Sequence, residues 1–273
     1  MAVGAQDDSG TEILKGFGRQ LKLLRERSGL TQAELGRQLG YSEDLISSVE
    51  LGRRLAQPEF IDKADDVLGA GGMLAALKRS VAGARFPAFF RDFARLEAEA
   101  VERYAYDNMV INGLLQTEDY ARALFTMRRP LLDEDTIEQR VAARMARREV
   151  IDRRPSPLLG FVIEEVVLQR PLGREQVLCG QLRHLLNIGQ LRHVEIQVMP
   201  TSRSDNAGVA GPFTLLTPKG RQQVAYLEGQ GRSTLITDTE EVRAIASRYG
   251  IIRAQALTPE ESLAFIEKSL GEA

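Results

Sequence analysis

Residues 24–54, LRERSGLTQAELGRQLGYSEDLISSVELGRR, decide the fold of the first part of the chain. Gly29 ends one helical segment, because glycine readily adopts the left-handed conformation that closes a helix. Thr31 stands at an N-cap position with Glu34 three residues later, which is the capping-box pattern that begins a helix. Ser42 is a second N-cap residue, and apolar residues at helical spacing follow it. The stretch therefore predicts two short helices separated by a tight turn.

The segments on either side of this stretch are also helical in pattern. EILKGFGRQLKLLRERSGL places Ile13, Phe17 and Leu21 on one face, as an amphipathic helix requires. Pro58 begins a fourth helix, and GAGGMLAAL allows a fifth. A helix, a glycine stop, a short helix, a turn and a second short helix form the helix-turn-helix plan, whose second helix lies in the major groove of DNA.

The quoted stretch closely resembles the XRE class of bacterial and phage repressors, and the resemblance covers residues 13–78. The glutamine after the N-cap, the small Ala33, the turn glycine and the run Ile–x–x–Val–Glu–x–Gly all stand where that class has them. The resemblance implies a DNA-binding fold in which Gln32 contacts the DNA backbone. It also implies a set of residues at the DNA, with the first five facing the major groove and the last two near phosphates: Ser42, Glu43, Asp44, Ser47, Ser48, Arg53 and Arg54.

The acidic residues of this region need separate explanations. The resemblance implies that Glu50 pairs with Arg25 and ties the first helix to the recognition helix, which is the helix that follows Ser42. Glu43 and Asp44 open the recognition helix, where a carboxylate can accept a hydrogen bond from cytosine N4 but is repelled by phosphates. Glu43 and Asp44 therefore either give sequence specificity by lowering the affinity for other DNA sequences, or are held away from the bases by other contacts.

Affinity for DNA must then come from helix N-termini and basic side chains, which here are Arg19, Lys22, Arg37, Arg53 and Arg54. One such module binds weakly, so we expect a homodimer on a two-part, double-stranded DNA operator.

The rest of the chain alternates between strand and helix patterns. PLLGFVIEEVVLQR is an apolar run typical of a buried strand, HVEIQVMP alternates as a strand, and PFTLLT and QQVAYLEG are strands joined as a hairpin. DEDTIEQRVAARMARREVIDRR is one long helix with acids at its start and arginines toward its end. The whole chain is therefore predicted as α+β, with an N-terminal all-α five-helix domain and a larger α/β domain that has a mixed sheet.

This second part resembles the C-terminal domain of the WhiJ-like regulators. GLLQTEDYARAL, RVAARMARRE, FVIEEVVLQRPLG, IQVMP and GPFTLL match that domain in order over about residues 86–270. The resemblance implies an effector or partner module, often encoded beside a small partner protein, and an antitoxin-like or developmental switch. The chain departs from the family at Asn108 and Asn112, where family members often carry prolines.

Four segments follow from these patterns. We expect a disordered arm over residues 1–10, a helix-turn-helix domain over 11–80, a linker over 81–86 and an effector domain over 87–270.

Composition narrows the classes of function. The net charge of −2 gives no overall sign of nucleic-acid binding, so any basic surface is local. One cysteine, Cys179, and two histidines supply neither a disulfide framework nor a metal cluster, and we expect no metal and no cofactor. No apolar run approaches the roughly 20 residues that span a bilayer, and no signal-peptide pattern is visible. We therefore expect a cytoplasmic protein without membrane contact.

Candidate residues for an effector or partner site lie on two elements of the second part. Glu164 and Glu165 are adjacent on a predicted strand and point to opposite faces, so the inward one needs a partner such as Arg170 or a helix arginine. A structural ion pair and a ligand site are both open for these residues. The arginine stripe that includes Arg144 and Arg148 is either a solvated helix face or a surface for an anion or an acidic partner.

Two classes of function remain. The first is a transcription regulator whose C-terminal domain binds a ligand or a small partner protein. The second is a DNA-tethered enzyme or toxin component with catalysis in that domain. An enzyme needs titratable groups that converge in a pocket, and the sequence has no phosphate-binding glycine loop, metal-ligand spacing or Ser/His/Asp arrangement. We therefore expect a regulator without catalytic residues.

Overall fold

The structure, a computed structural model, describes residues 8–84, 90–229 and 232–272. The chain divides into two compact units, Met1–Arg91 and Asp92–Ala273.

The N-terminal unit is built from helices. Within its described residues there are five α-helices, and a short 3-10 turn at Ala75–Leu77 precedes the last. The helices are α1 (Asp8–Arg27), α2 (Gln32–Leu39), α3 (Glu43–Glu50), α4 (Pro58–Val67) and α5 (Lys78–Gly83).

The ends of this unit differ from the expected segments. Helix α1 begins at Asp8, inside the stretch expected as an arm over 1–10. Residues 1–7 lie outside the described residues. At the other end, α5 continues to Gly83, inside the expected linker 81–86, of which residues 85 and 86 also lie outside the described residues.

The predicted caps of α2 and α3 are confirmed. The Thr31 hydroxyl accepts from the Glu34 backbone N–H at 3.2 Å, and the Glu34 carboxylate accepts from the Thr31 N–H at 2.8 Å. The Ser42 hydroxyl accepts from the Leu45 N–H at 3.3 Å. Between the two helices the chain turns at Gly40, whose φ of 82° is left-handed, so the glycine suits the turn.

Helix α1 crosses close to the end of α3. A β-carbon at Gly18 would lie 2.3 Å from the carbonyl oxygen of Glu50, so only glycine allows this approach. Around the crossing, the helices bury one apolar core that includes Phe17, Leu21, Ile46 and Val49. This core holds α3 against the rest of the unit.

The C-terminal unit alternates strands and helices, as predicted. In chain order its elements are α6 (Arg91–Glu99), β1 (Ala100–Asp107), α7 (Glu118–Thr126), α8 (Glu134–Ala146), α9 (Glu149–Asp152), β2 (Leu158–Glu164), α10 (Glu165–Gln169), α11 (Glu175–Ile188), β3 (Val194–Met199), β4 (Phe213–Pro218), β5 (Val224–Gly229), β6 (Arg232–Ile236), α12 (Thr239–Gln255) and α13 (Pro259–Glu272). A 3-10 turn at Gly113–Leu115 follows β1.

The strands form one mixed sheet in the order β3-β2-β1-β4-β5-β6. Strands β1, β2 and β3 are parallel, while β4, β5 and β6 pair antiparallel. One face of the sheet packs Phe161 and Ile196 into a core with α7, α11 and α13, and the other face packs Tyr106 and Val162 against α12. The α+β fold class with an N-terminal helical domain is confirmed.

Three details of the sequence prediction are wrong. The apolar run PLLGFVIEEVVLQR is not one strand, because β2 ends at Glu164, where its pairing with Met199 of β3 ends, and α10 begins at Glu165. The long helix expected over DEDTIEQRVAARMARREVIDRR is divided into α8 and α9. Strand β6 was not predicted, since this short segment is a strand through its pairing with β5.

Candidate nucleic-acid interface and C-terminal polar network

The leading turn of α3 is open to solvent. Ser42, Glu43 and Asp44 are exposed, whereas Ser47 and Ser48 are partly buried. Within the described residues, neither Glu43 nor Asp44 takes part in an ion pair. The two carboxylates are therefore available to whatever approaches this end of the helix, and the Ser42 hydroxyl is used in capping.

The other end of α3 is held by a buried ion pair. The Arg25 guanidinium donates from Nε to Glu50 Oε1 at 2.6 Å and from Nη2 to Glu50 Oε2 at 3.0 Å. Arg25 and Glu50 are 7% and 6% exposed. The pairing expected from the XRE resemblance is confirmed, and Glu50 is turned inward, away from any ligand of the surface.

Gln32 belongs to the same network. Its side-chain amide donates to Glu50 Oε2 at 2.7 Å, so the first residue of α2 is joined to the last residue of α3. The side chain is partly buried. Its contact with the DNA backbone stays a prediction, and the structure adds a positioning role that the sequence did not indicate.

Arg53 and Arg54 directly follow α3. Both side chains are exposed, and both backbone N–H groups donate to the Ser48 carbonyl, at 2.8 and 3.2 Å. The turn between helix and arginines uses Gly52, whose φ is +68° and whose added β-carbon would lie 2.6 Å from the Lys15 backbone nitrogen. This close packing on α1 fixes the backbone from which the Arg53 and Arg54 side chains extend.

The C-terminal unit contains a buried charge network that the sequence did not indicate. The Glu97 carboxylate accepts from Arg103 Nε at 3.0 Å, and from Arg147 Nε and Nη2 at 2.8 and 3.0 Å. Glu97 and Arg103 are each 1% exposed and Arg147 is 9% exposed. Burial alone would raise the pKa of Glu97, but Arg147 and Arg103 hold that pKa below its ordinary value. The carboxylate is thus ionised and fully paired.

The arginine stripe of α8 is therefore not a solvated face throughout. Arg147 points inward to Glu97, and Arg144 donates to the Gln116 side-chain oxygen at 2.9 Å and lies over the Phe125 ring. Arg148, at the break between α8 and α9, is partly exposed. A spacing of three residues places Arg144 and Arg147 on one helix face, but the spacing does not indicate that this face is buried.

Glu164 and Glu165 have different partners from those expected. The Glu164 carboxylate accepts from the Tyr106 hydroxyl and from the Asn206 amide, so the proposed pairing of the inward acid with Arg170 is wrong. Glu165 accepts from the backbone N–H and hydroxyl of Thr201, at 2.9 and 3.0 Å. Glu164, the last residue of β2, and Glu165, the first residue of α10, both anchor the loop that follows β3.

The four candidate effector residues are engaged with different parts of the domain. Arg170 donates to the Met109 carbonyl, in the segment after β1. Glu165 holds the loop after β3, Arg144 contacts the segment before α7, and Arg148 stands at the start of α9. No single site made from all four emerges among the described residues.

Two protein-family models match separate parts of the chain. A helix-turn-helix domain model matches residues 17–77. A family model described as a domain of unknown function, DUF5753, matches residues 90–268. The chain belongs to the DUF5753 family. No curated protein and no solved structure matches it. The helix-turn-helix match, together with the exposed end of α3, identifies the chain as a DNA-binding regulator.

The DUF5753 domain offers few reactive side chains in its described part. Cys179 is a free, partly buried thiol. His184 is partly buried, and burial followed by the charge of Arg148 lowers its pKa to about 4, so it is neutral at pH 7. Among the described residues no group of His, Cys, Asp or Glu could hold a metal ion, and no helix is long and apolar enough to cross a membrane.

Proposed function

We propose that this DUF5753 protein is an XRE-type, sequence-specific regulator of transcription, and that α3 reads the edges of the bases. The observation that carries the proposal is the contrast between the two ends of α3. Its leading turn exposes Glu43 and Asp44, while its far end is held by Glu50 through Arg25 and Gln32. A side chain that reads a base must stay within a fraction of an ångström of its contact position, and a rigid element such as a helix can hold it there.

We further propose that the regulator acts as a homodimer on a two-part operator. A single helix-turn-helix unit presents few base contacts, and dimers of such units bind half-sites one helical turn, about 34 Å, apart or a multiple of it. The net charge of −2 provides little general attraction to DNA, so affinity has to come from the local cations Arg19, Lys22, Arg37, Arg53 and Arg54.

The DUF5753 domain, in this proposal, binds a ligand or a small partner protein and so switches the DNA-binding domain. An antitoxin-like or developmental switch is the role that the WhiJ-like resemblance suggests. The rival function, a DNA-tethered enzyme, has less support from the described residues. Glu97 is saturated by two arginines and Glu164 by Tyr106 and Asn206, whereas general acid–base catalysis needs a carboxyl group that can reach a substrate.

Selection of bound sequences from random duplex DNA tests the proposal. The full-length chain should enrich one sequence with two half-sites. The double variant Glu43→Gln/Asp44→Asn should be less selective, and Glu59→Gln/Asp66→Asn, which changes two exposed acids of α4, is the matched control. If the wild type enriches no sequence, or if both double variants are as selective as the wild type, α3 does not read an operator.

A further inference from the structure

The two edges of the sheet in the DUF5753 domain differ. At the β3 edge, the Val198 N–H donates to the Ser262 hydroxyl at 2.9 Å, and the Val198 carbonyl accepts from the Leu257 N–H at 2.9 Å. The Gln197 side-chain amide also donates to the Leu257 carbonyl at 2.8 Å. The connection between α12 and α13, together with the first turn of α13, therefore closes this edge by binding the backbone groups that a further strand would need.

The β6 edge is open in the described part of the chain. Strand β6 is last in the strand order and pairs with β5 on one side. Thr234 and Leu235 are exposed, and among the described residues no hydrogen bond from outside the two strands reaches either of them. An edge strand has peptide groups that point away from the sheet, so β6 presents donors and acceptors with which another strand can pair.

The sequence of β6 does not protect this edge. Open edges are usually blunted by a proline, a lysine or an inward-pointing charge, whereas residues 233–236 read STLI and contain neither proline nor charge. Threonine and isoleucine favour the extended conformation. Leu235 of β6 and Leu227 of β5 are each 36% exposed. An added strand would therefore gain both backbone pairing and apolar contact.

Strand β6 can pair with a second copy of itself along its whole length of five residues. In an antiparallel pair centred on Thr234, that residue faces Thr234 of the second copy, Ser233 faces Leu235, and Arg232 faces Ile236. Any other centre leaves residues of the strand unpaired. No two like charges face each other in this register, and opposed threonines are a favourable cross-strand pair. The contact uses the same residues in both copies, as a two-fold dimer requires.

We propose that β6 joins two copies of this chain edge to edge, so that the two six-stranded sheets of a homodimer become one continuous sheet. This inference rests on the proposed function for the dimer itself, and it adds the domain and the strand through which the copies meet.

The size of the contact predicts a weak dimer in free solution. A stable interface buries roughly 800 Å² on each partner, and one strand of five residues covers less than that. Two copies bound to neighbouring half-sites are held at a high effective concentration, which strengthens pairing between them without any new contact. A second copy of the chain is thus the occupant of the edge that operator DNA itself would bring into place.

Disulfide trapping of the full-length chain tests the pairing and its register. In a Cys179→Ser background, which removes the one native cysteine, Thr234→Cys would place two thiols opposite each other on the two-fold axis. Directly opposed residues of antiparallel strands have Cα atoms about 4.5–5.5 Å apart, which is within the range of a disulfide. Mild oxidation should therefore give a covalent dimer.

A matched control uses the opposite side of the sheet. Ser202→Cys in the same background places an exposed thiol in the loop that follows β3, away from the proposed contact. It should stay largely monomeric under the same oxidation. Operator DNA should increase the yield of the Thr234→Cys dimer and leave that of Ser202→Cys unchanged.

Charges introduced at residue 234 give a test without covalent trapping. Thr234→Lys would oppose two lysines and Thr234→Glu two glutamates, so each variant alone should dimerise more weakly than the wild type in sedimentation equilibrium. A mixture of the two should form a heterodimer at least about fivefold more tightly than either variant pairs with itself. Thr234 is exposed, so the unfolding curves of the variants should match that of the wild type, and recovery in the mixture also excludes misfolding.

Two results would overturn the interface. One is a Thr234→Cys chain that forms no more covalent dimer than Ser202→Cys, both free and on operator DNA. The other is a mixture of the lysine and glutamate variants that pairs no better than either alone. A wild type that stays monomeric in solution and binds DNA as a single copy also rules out the second copy and leaves the edge to a different partner.

Operator selection separates this interface from the proposed function. A chain that cross-links through residue 234 but selects no operator keeps the interface and loses the proposed function. A chain that binds a two-part operator as a dimer, yet does not cross-link through residue 234, keeps the proposed function and loses the interface.

Discussion

Replacing Glu50 with alanine should destabilise the N-terminal unit without removing a DNA contact. The Glu50 carboxylate accepts two hydrogen bonds from Arg25, at 2.6 and 3.0 Å, and one from Gln32, at 2.7 Å. Arg25 also donates to the Leu30 carbonyl at 2.8 Å. After the substitution the buried Arg25 guanidinium keeps only that carbonyl and a longer contact, 3.6 Å, with the exposed Glu26 carboxylate.

The expected loss is large for a unit of this size. Leaving one partner of a buried ion pair uncompensated costs roughly 3–5 kcal/mol, out of a total free energy of unfolding of about 5–15 kcal/mol. Each 1 kcal/mol lowers the melting temperature of a domain of 60–100 residues by roughly 4–8 °C. The melting temperature of the N-terminal unit should therefore fall by at least about 10 °C.

Hydrogen exchange measured peptide by peptide assigns the loss to the right part of the chain. Peptides from α1, α2 and α3 should exchange faster in Glu50→Ala, and peptides from the DUF5753 domain should not. Glu43→Ala, an exposed acid on the same helix, is the matched control and should leave exchange unchanged. Replacing both partners, as Arg25→Met/Glu50→Leu, should recover much of the stability, since no buried charge is then left alone.

Operator binding at a temperature where Glu50→Ala is still folded completes the test. The affinity should be close to that of the wild type, because Glu50 lies inside the unit. An unchanged melting temperature together with weaker operator binding would refute the structural role and make Glu50 a DNA contact.

Three other predictions concern the DNA surface and the pH dependence of stability. Arg53→Ala or Arg54→Ala should weaken binding to operator and random DNA alike, and should reduce the salt slope by about one unit for each phosphate that is no longer neutralised; an effect confined to a single operator base pair would contradict phosphate binding. Glu43→Gln/Asp44→Asn should raise affinity for random duplex and lower the specificity ratio in a competition assay at fixed salt, because the acids are repelled by phosphates; no rise would show that they do not act by exclusion. Burial raises the pKa of Asp107 from 3.8 to about 6, so the folded chain binds this proton more tightly than the unfolded chain. The stabilisation that comes from protonating Asp107 is complete below about pH 4 and is lost as the pH rises to about 6. In denaturant titrations, lowering the pH from about 6 to about 4 should raise the free energy of unfolding of the wild type by up to about 3 kcal/mol relative to that of Asp107→Asn. Superimposable pH profiles of the two proteins would disprove the shift.

The sequence by itself determined the features that depend on neighbours within one turn of helix. Thr31 with Glu34, and Ser42, cap α2 and α3 as predicted, and Pro58 begins α4. These signals can be read because a cap is satisfied by backbone groups only a few residues away. The Arg25–Glu50 pair, 25 residues apart, was predicted through the XRE resemblance and not through local chemistry.

Only the tertiary structure decided which charged residues of the DUF5753 domain are buried. A charge on a helix is usually solvated, yet Arg147 reaches Glu97 across 50 residues of sequence, and Arg103 reaches the same carboxylate from β1. The end of β2 at Glu164 was likewise set by its pairing with β3 and by contacts with Tyr106 and Asn206. Burial and pairing of this kind depend on which elements meet when the sheet forms, and the local pattern of polar and apolar residues does not contain that information.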